Sequence, residues 1–204
     1  MLKNLHRASA CVIGLFLLAH ITNQLMALHS VETYKAFMEA ARVVYRNPFA
    51  ETLLLACVLF QVGSGAIQIR RRKGRISGFF QWAQVLSGGY LAFFFLLHIS
   101  AIMWGRIGPE VDTNYYFATV GIHVTPFQFF FLPYYFLAIT AVFTHVACAL
   151  HALTQNRLSE LARNRMGYGL IGLGVILALL IVTALAGAFH DVGYPDDYEV
   201  LFNP

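Results

Sequence analysis

Three histidines, His20, His98 and His145, fall inside long apolar runs of this 204-residue chain. The same runs hold the amides Asn23, Gln24 and Gln61, and no Asp, Glu, Lys or Arg near their middles. An imidazole in hydrocarbon is costly, so each invites a functional reading. His20 and His98 each stand about eight residues before the end of their runs, and each follows a serine, Ser9 or Ser87, by eleven residues. Eleven residues make about three helical turns, so each serine shares a face with its histidine. Two neutral imidazoles at matched depth on two helices are what bis-histidine ligation of a b-type haem requires. Gly14, Gly88 and Gly89 would admit a porphyrin, and Leu17, Phe94 and Phe95 would wall it. The competing reading is that each histidine hydrogen-bonds a neighbouring carbonyl.

His145 runs in the opposite sense, about eight residues before the inner end of its segment, with Gln61 rather than a histidine at the same level. A second haem would lack its partner ligand there. His145 could instead bond Gln61, line a quinone pocket or simply pack. A polar cluster at the start of the chain, His6-Arg7-Ala8-Ser9, offers donors at the membrane surface. Quinone carbonyls need such donors beside an apolar trough, which marks Arg7 and Ser9 as candidate quinone contacts. The plainer reading makes Arg7 an orientation charge and Ser9 a helix cap. His151 lies near the inner interface, and His29, His123 and His190 fall in outer loops or at a helix end, where solvated histidines need no special role.

The elements that must position these residues are five apolar segments: 8–28, 49–69, 81–104, 127–153 and 167–189. Each is long enough to cross a hydrocarbon core of about 30 Å at about 1.5 Å per residue. Pro48 and Thr125-Pro126 mark helix starts, and Pro133 should kink the fourth segment. The chain thus reads as all-α, an integral membrane five-helix bundle in one domain. The first run superficially resembles a signal peptide, but it continues without a small-x-small cleavage site and reads as the first span. A shift of 78 residues lays Ser9 on Ser87, Phe16 on Phe94, His20 on His98 and Pro48-Phe49 on Pro126-Phe127. Spans one–two and three–four therefore read as two related hairpins, with the fifth span added.

Composition agrees. The chain is 58% hydrophobic and 12% charged, against about 45–50% and about 25% in soluble domains. Nucleic-acid readers, disulfide scaffolds and disordered tails are excluded. Cys11, Cys57 and Cys148 are scattered through apolar runs with no CxxC, so neither zinc nor covalent haem attachment is supported. Lys3, Arg7, Arg70, Arg71, Arg72, Lys73, Arg75, Arg157, Arg163 and Arg165 fall on one side with Glu160 alone among the acids. Lys35, Arg42, Arg46 and Arg106 share the other side with the remaining acids, including Asp191, Asp196, Asp197 and Glu199. The positive-inside rule then puts the N-terminus in and the C-terminus out. With no buried carboxylate relay or ring of charges, a proton-coupled carrier or ion channel is not indicated. Gly167-Tyr168-Gly169-Leu170-Ile171-Gly172 matches GxGxxG without a preceding strand and reads as helix packing. The aromatic run from Phe127 to Tyr135 reads as an interfacial belt.

With these residues laid out, the chain resembles the transmembrane cytochrome b subunits of succinate dehydrogenase and fumarate reductase, of the single-subunit, five-helix type. Leu5-His6-Arg7-Ala8-Ser9-Ala10 is similar to that family's His-Arg-x-Ser/Thr-Gly segment, with Ala10 where glycine is usual. Ser87-Gly88-Gly89-Tyr90 through His98 is similar to its haem-ligand helices. The resemblance covers roughly residues 1–153, and the fifth span carries none of it. It implies a quinone site at Arg7 and Ser9 and an outer haem shared by His20 and His98. Gln61 stands where the helix-two ligand would be, leaving His145 without its partner. It also implies a soluble flavoprotein and an iron–sulfur subunit on the inner face, in a bacterial cytoplasmic or mitochondrial inner membrane. Dicarboxylate chemistry would belong to those subunits, since this chain has no site for it.

Two other readings stand beside this one. A haem-free membrane scaffold or small-molecule transporter would use its histidines for packing, with Pro133 and Gly63-Ser64-Gly65 as moving parts. An anchor of another quinone-linked dehydrogenase would keep the haem and change the partner.

Overall fold

A computed structural model of the chain describes residues 1–72, 74–193 and 195–201; Lys73 of the basic run and the side chain of Glu199 lie outside the described residues. Seven α-helices form: α1 (Leu2–Met26), α2 (Val31–Tyr45), α3 (Pro48–Arg72), α4 (Phe79–Ile107), α5 (Tyr115–His123), α6 (Gln128–Leu153) and α7 (Glu160–Leu185). A 3-10 turn, Asp196–Leu201, follows, and no strand occurs among the described residues. Five helices, α1, α3, α4, α6 and α7, are long and apolar enough to cross a membrane. Leu15, Leu18, Leu59, Leu86, Phe129 and Ile176 project outward from them. So much exposed aliphatic surface suits lipid and would be a liability in water. Five such helices with lipid-suited surfaces support a multi-pass helical membrane protein.

Local chemistry sets the ends. Pro48 opens α3, with Glu51 in its first turn and Arg70, Arg71 and Arg72 in its last, each charge opposing the helix dipole at its end. The fifth span starts at Glu160, not Gly167, because Ser159 caps it by accepting from the Ala162 amide. Its first turns carry Glu160, Arg163 and Arg165, which hide the helix from a reading by apolar content. It stops at Leu185, short of Phe189, where Gly187 turns left-handed at φ 83. The Gly187 and Ala188 amides then close onto the Ala184 and Thr183 carbonyls, a Schellman end.

Two helices fall where the sequence reads as loop. In α2, Tyr34, Met38 and Arg42 are buried at one-turn intervals, and the Ser30 side chain caps the start. In α5, Asn114 accepts from the Tyr116 amide, and Tyr115, Thr119, Val120 and Ile122 are buried. Both are too short and too polar at their starts to register as spans.

The spanning helices run alternately up and down. The N-terminus and the arginines of α3 and α7 share one end, the basic end, and α2 and α5 close the other, the capped end. In the bundle, α6 packs on α4 and most extensively on α7, α1 packs on α3, and α1 and α4 have no comparable backbone contact. Two glycines let α7 lie close: a Cβ at Gly174 would fall 2.4 Å from Phe143, and one at Gly167 2.5 Å from Phe80. Gly169 and Gly172 meet nothing within 4 Å, so only part of the glycine pattern is packing. The cluster of buried side chains sits at the capped end, where Tyr34 and Met38 of α2 meet Tyr115 and Ile122 of α5 and Ile181 and Leu185 of α7.

Charge ties this cap together. Arg42, 8% exposed, reaches both Asp112 carboxylate oxygens at 2.8 and 3.3 Å and Glu39 at 2.6 Å. Burial alone would raise the Asp112 carboxyl. Hydrogen bonding and charge from Arg42, the Asn114 amide and the Arg46 charge outweigh it and hold the group below its ordinary range. The stabilisation is therefore complete above the unfolded value of about 3.9 and is lost as pH falls through the lower folded value. Asp112→Asn should lower the melting temperature in detergent by about 2–4 °C at pH 7, the effect of about 1 kcal/mol from a half-exposed partner. At pH 3 the wild type and the variant should differ by less.

Candidate cofactor-binding site

His20 on α1 and His98 on α4 meet across the gap between their helices, with ring centroids 6.2 Å apart and planes at 67°. Each ring is braced from within its own helix. Phe16 stacks on His20 at 5.4 Å and 18°, and Phe94 on His98 at 4.9 Å and 15°. A spacing of four residues places phenyl and imidazole on one face, one turn apart, so the same device appears in both hairpins at the 78-residue shift. Neither imidazole has a hydrogen-bond partner among the described residues, so the expected alternative of a carbonyl bond is not what is found. A polar side chain left unpaired in an apolar interior is costly and calls for an explanation.

Both rings face one cavity of about 330 Å³ that lies between α1, α4 and α6 and is roofed by α2 and α5. That volume lies within the roughly 300–1,000 Å³ of small-molecule sites. Toward the basic end the walls are apolar, with Leu17, Phe94, Phe95 and Val142; toward the capped end they include Gln24, Tyr34, Thr113 and Asn114. Phe94, Phe95 and Leu17 thus line the space assigned to them. Gly14 and Gly89 meet nothing within 4 Å, whereas Gly88 is filled by His145.

The pair fits a haem iron. His20 and His98 would hold such a group through their ring nitrogens, which no other described side chain engages. Among the described residues no group of three or more His, Cys, Asp or Glu could hold a metal ion. Two imidazoles alone suit a metal that brings its other ligands with it, as a porphyrin does.

The remaining candidates sort differently. Ser9 is buried and donates to the His6 carbonyl at 3.2 Å, while Arg7 is exposed. Two residues apart on a helix, they point about 200° apart, so the structure does not bring Arg7 and Ser9 together. His145 bonds through Nδ1 with Ser87 Oγ at 3.3 Å, not with Gln61, and its ring fills the notch at Gly88. The side-chain oxygen of Gln61 is buried without a partner.

His6, which the sequence places in the polar cluster at the chain's start without a role of its own, has a specific partner. Its Nδ1 meets Ser64 Oγ at 2.6 Å, and it lies within electrostatic reach of His145. The His6–Ser64 and Ser87–His145 pairs each span 58 residues, one pair in each hairpin with the roles exchanged. That common spacing was the available signal. Three histidines expected to be solvated are engaged. His151 Nε2 bonds Asn164 at 2.9 Å and its ring stacks on Phe80; His123 and His190 donate through Nε2 to the Leu185 and Leu28 carbonyls. Carbonyls at or just beyond helix C-termini lack intrahelical donors, and an imidazole N–H supplies one.

Gly88→Leu should dislodge His145 from Ser87 and destabilise the protein by about 1–3 kcal/mol, measured by thermal unfolding in detergent. Gly89→Leu, with open space around it, should leave stability within about 0.5 kcal/mol. Comparison with protein-family models, with curated proteins and with solved structures finds no match to this chain.

Proposed function

We propose that the chain is the haem b-binding, quinone-interacting membrane anchor of an electron-transfer complex like succinate dehydrogenase or fumarate reductase. The observation that carries this reading is the pair of unpartnered imidazoles, 6.2 Å apart and facing one cavity. His20 and His98 would be the axial ligands, held in orientation by Phe16 and Phe94. Bound haem would supply one-electron chemistry at that position. The separation of the α1 and α4 backbones supports a planar group between the hairpins, and the stacked phenyls would limit rotation of the two imidazoles.

The quinone would meet the chain at the basic end. Ser9, His6, Ser64, Ser87 and His145 make a polar layer there inside otherwise apolar helices, and Arg7 stands exposed at its rim. His145 belongs to this layer, and its serine partner favours a quinone-side or structural role over ligation of a second haem. The positive-inside rule puts the basic end in the cytoplasm or matrix, of a bacterial cytoplasmic or mitochondrial inner membrane. The arginines of α3 and α7 would there dock a soluble flavoprotein and iron–sulfur subunit, with lipid covering the flanks.

A dithionite-reduced minus oxidised spectrum of the purified protein should give a b-type alpha band at about one haem per chain. His20→Ala and His98→Ala should each abolish most of it, and His145→Ala should leave it. A flat spectrum from folded wild-type protein would instead favour the haem-free scaffold or transporter. Arg7→Ala should weaken quinone reduction at limiting quinone with the haem band intact; unchanged turnover would remove Arg7 from the quinone site.

A further inference from the structure

The cavity is not the same at its two ends. Toward the basic end it has aliphatic and phenyl walls, and the Tyr134 hydroxyl there is engaged by the Phe94 carbonyl. Toward the capped end two hydroxyls line it with protons that have no acceptor among the described residues. Tyr34, 3% exposed, accepts from Gln24 Nε2 at 3.1 Å and leaves its own O–H free. Thr113 accepts from Arg46 Nη2 at 2.8 Å and likewise keeps its proton. Gln24 follows His20 by four residues, so this polar end begins one turn, about 6 Å, beyond the imidazoles.

Behind this end three arginines meet three carboxylates, and the carboxylates are shared unevenly. Arg42 holds Asp112 through two bonds and Glu39 through one, and Arg106 is paired with Glu51. Among the described residues the one carboxylate near Arg46 is Asp112 at 3.8 Å, already engaged by Arg42 and Asn114. Burial, and then the charges of Arg42 and Arg106, hold the Arg46 guanidinium below its ordinary value. An added carboxylate would relieve that crowding and satisfy both free hydroxyls, through charge-assisted bonds of the stronger kind.

We propose that the capped end of the cavity is a carboxylate receptor. Tyr34 and Thr113, with Arg46 behind Thr113, take the propionates of the porphyrin and fix which way round the macrocycle sits. This rests on the haem reading, and it assigns to α2 and the α4–α5 connection a binding role beyond roofing the bundle. A porphyrin has an apolar edge of methyl and vinyl groups and an opposite edge bearing its two acids. The acids then face the capped end, and the apolar edge lies against Leu17 and Phe94.

The test reconstitutes haem-free protein with protohaem and with its dimethyl ester, which keeps iron and ring but removes both charges. Both should give a bis-imidazole spectrum, with the ester bound at least about tenfold more weakly, the loss expected for hydrogen bonds to a charged group. In Tyr34→Phe/Thr113→Val the difference should shrink below about threefold. Both changes keep side-chain volume, and Thr113→Val alone, outside the buried cluster, serves if the pair does not fold. Equal binding of the two porphyrins to wild type overturns the receptor while sparing the axial ligands. A difference that survives in the variants overturns the assignment to Tyr34 and Thr113. No imidazole-ligated spectrum with either porphyrin removes the haem reading, and this inference with it.

Discussion

Inside a hydrocarbon slab a polar side chain has no water to fall back on, so each must find its partner within the protein. The histidines of this chain divide along that line. His6 and His145 have serines, His151 has Asn164, and His123 and His190 have backbone carbonyls. Among the described residues His20 and His98 have no hydrogen-bond partner, only the faces of Phe16 and Phe94 and each other's rings. The bundle thus braces a ring by stacking while leaving its nitrogens without a hydrogen bond, and does so twice at one cavity.

The cavity exists because the molecule is built as two hairpins. Within each, helices pack closely, α1 with α3 and α4 with α6, and the backbones of α1 and α4 stay apart. What joins the halves lies elsewhere: the buried cluster of α2, α5 and the end of α7, the Arg42–Asp112 pair, and the Arg106–Glu51 pair between α3 and α4. Holding two hairpins at their rim leaves the middle open. The same cap brings Tyr34, Thr113 and Arg46 to the cavity, so one set of side chains both fastens the halves and makes one end of the space polar.

At the opposite end lies a second polar layer, the His6–Ser64 and Ser87–His145 pairs. Ser64 is 1% exposed and Ser87 6%, so the serines of this layer are buried within the helices, while His6 and His145 are half-buried beside them and the arginines flank the layer. A cavity between two polar layers, one rich in hydroxyls and arginine and one in imidazole–serine pairs, gives the molecule a direction along its axis.

Five spans, their order and the matched depth of His20 and His98 were legible from the sequence, because hydrocarbon length and helical rise leave little freedom. The two hairpins were legible too, since Phe16/His20 and Phe94/His98 repeat as polar and aromatic landmarks in a plain background. The helix of α2 was written there as well, in the cap at Ser30 and the one-turn spacing of Tyr34, Met38 and Arg42, but its mixed polarity hid it among loop residues. The sequence could not say which side chains cross from one helix to another. Only packing decided that His145 turns to Ser87 rather than Gln61, that His6 reaches Ser64, and that Arg7 and Ser9 part company. Periodicity sets depth and face along a single helix, whereas the rotation of one helix against its neighbours depends on every contact between them at once.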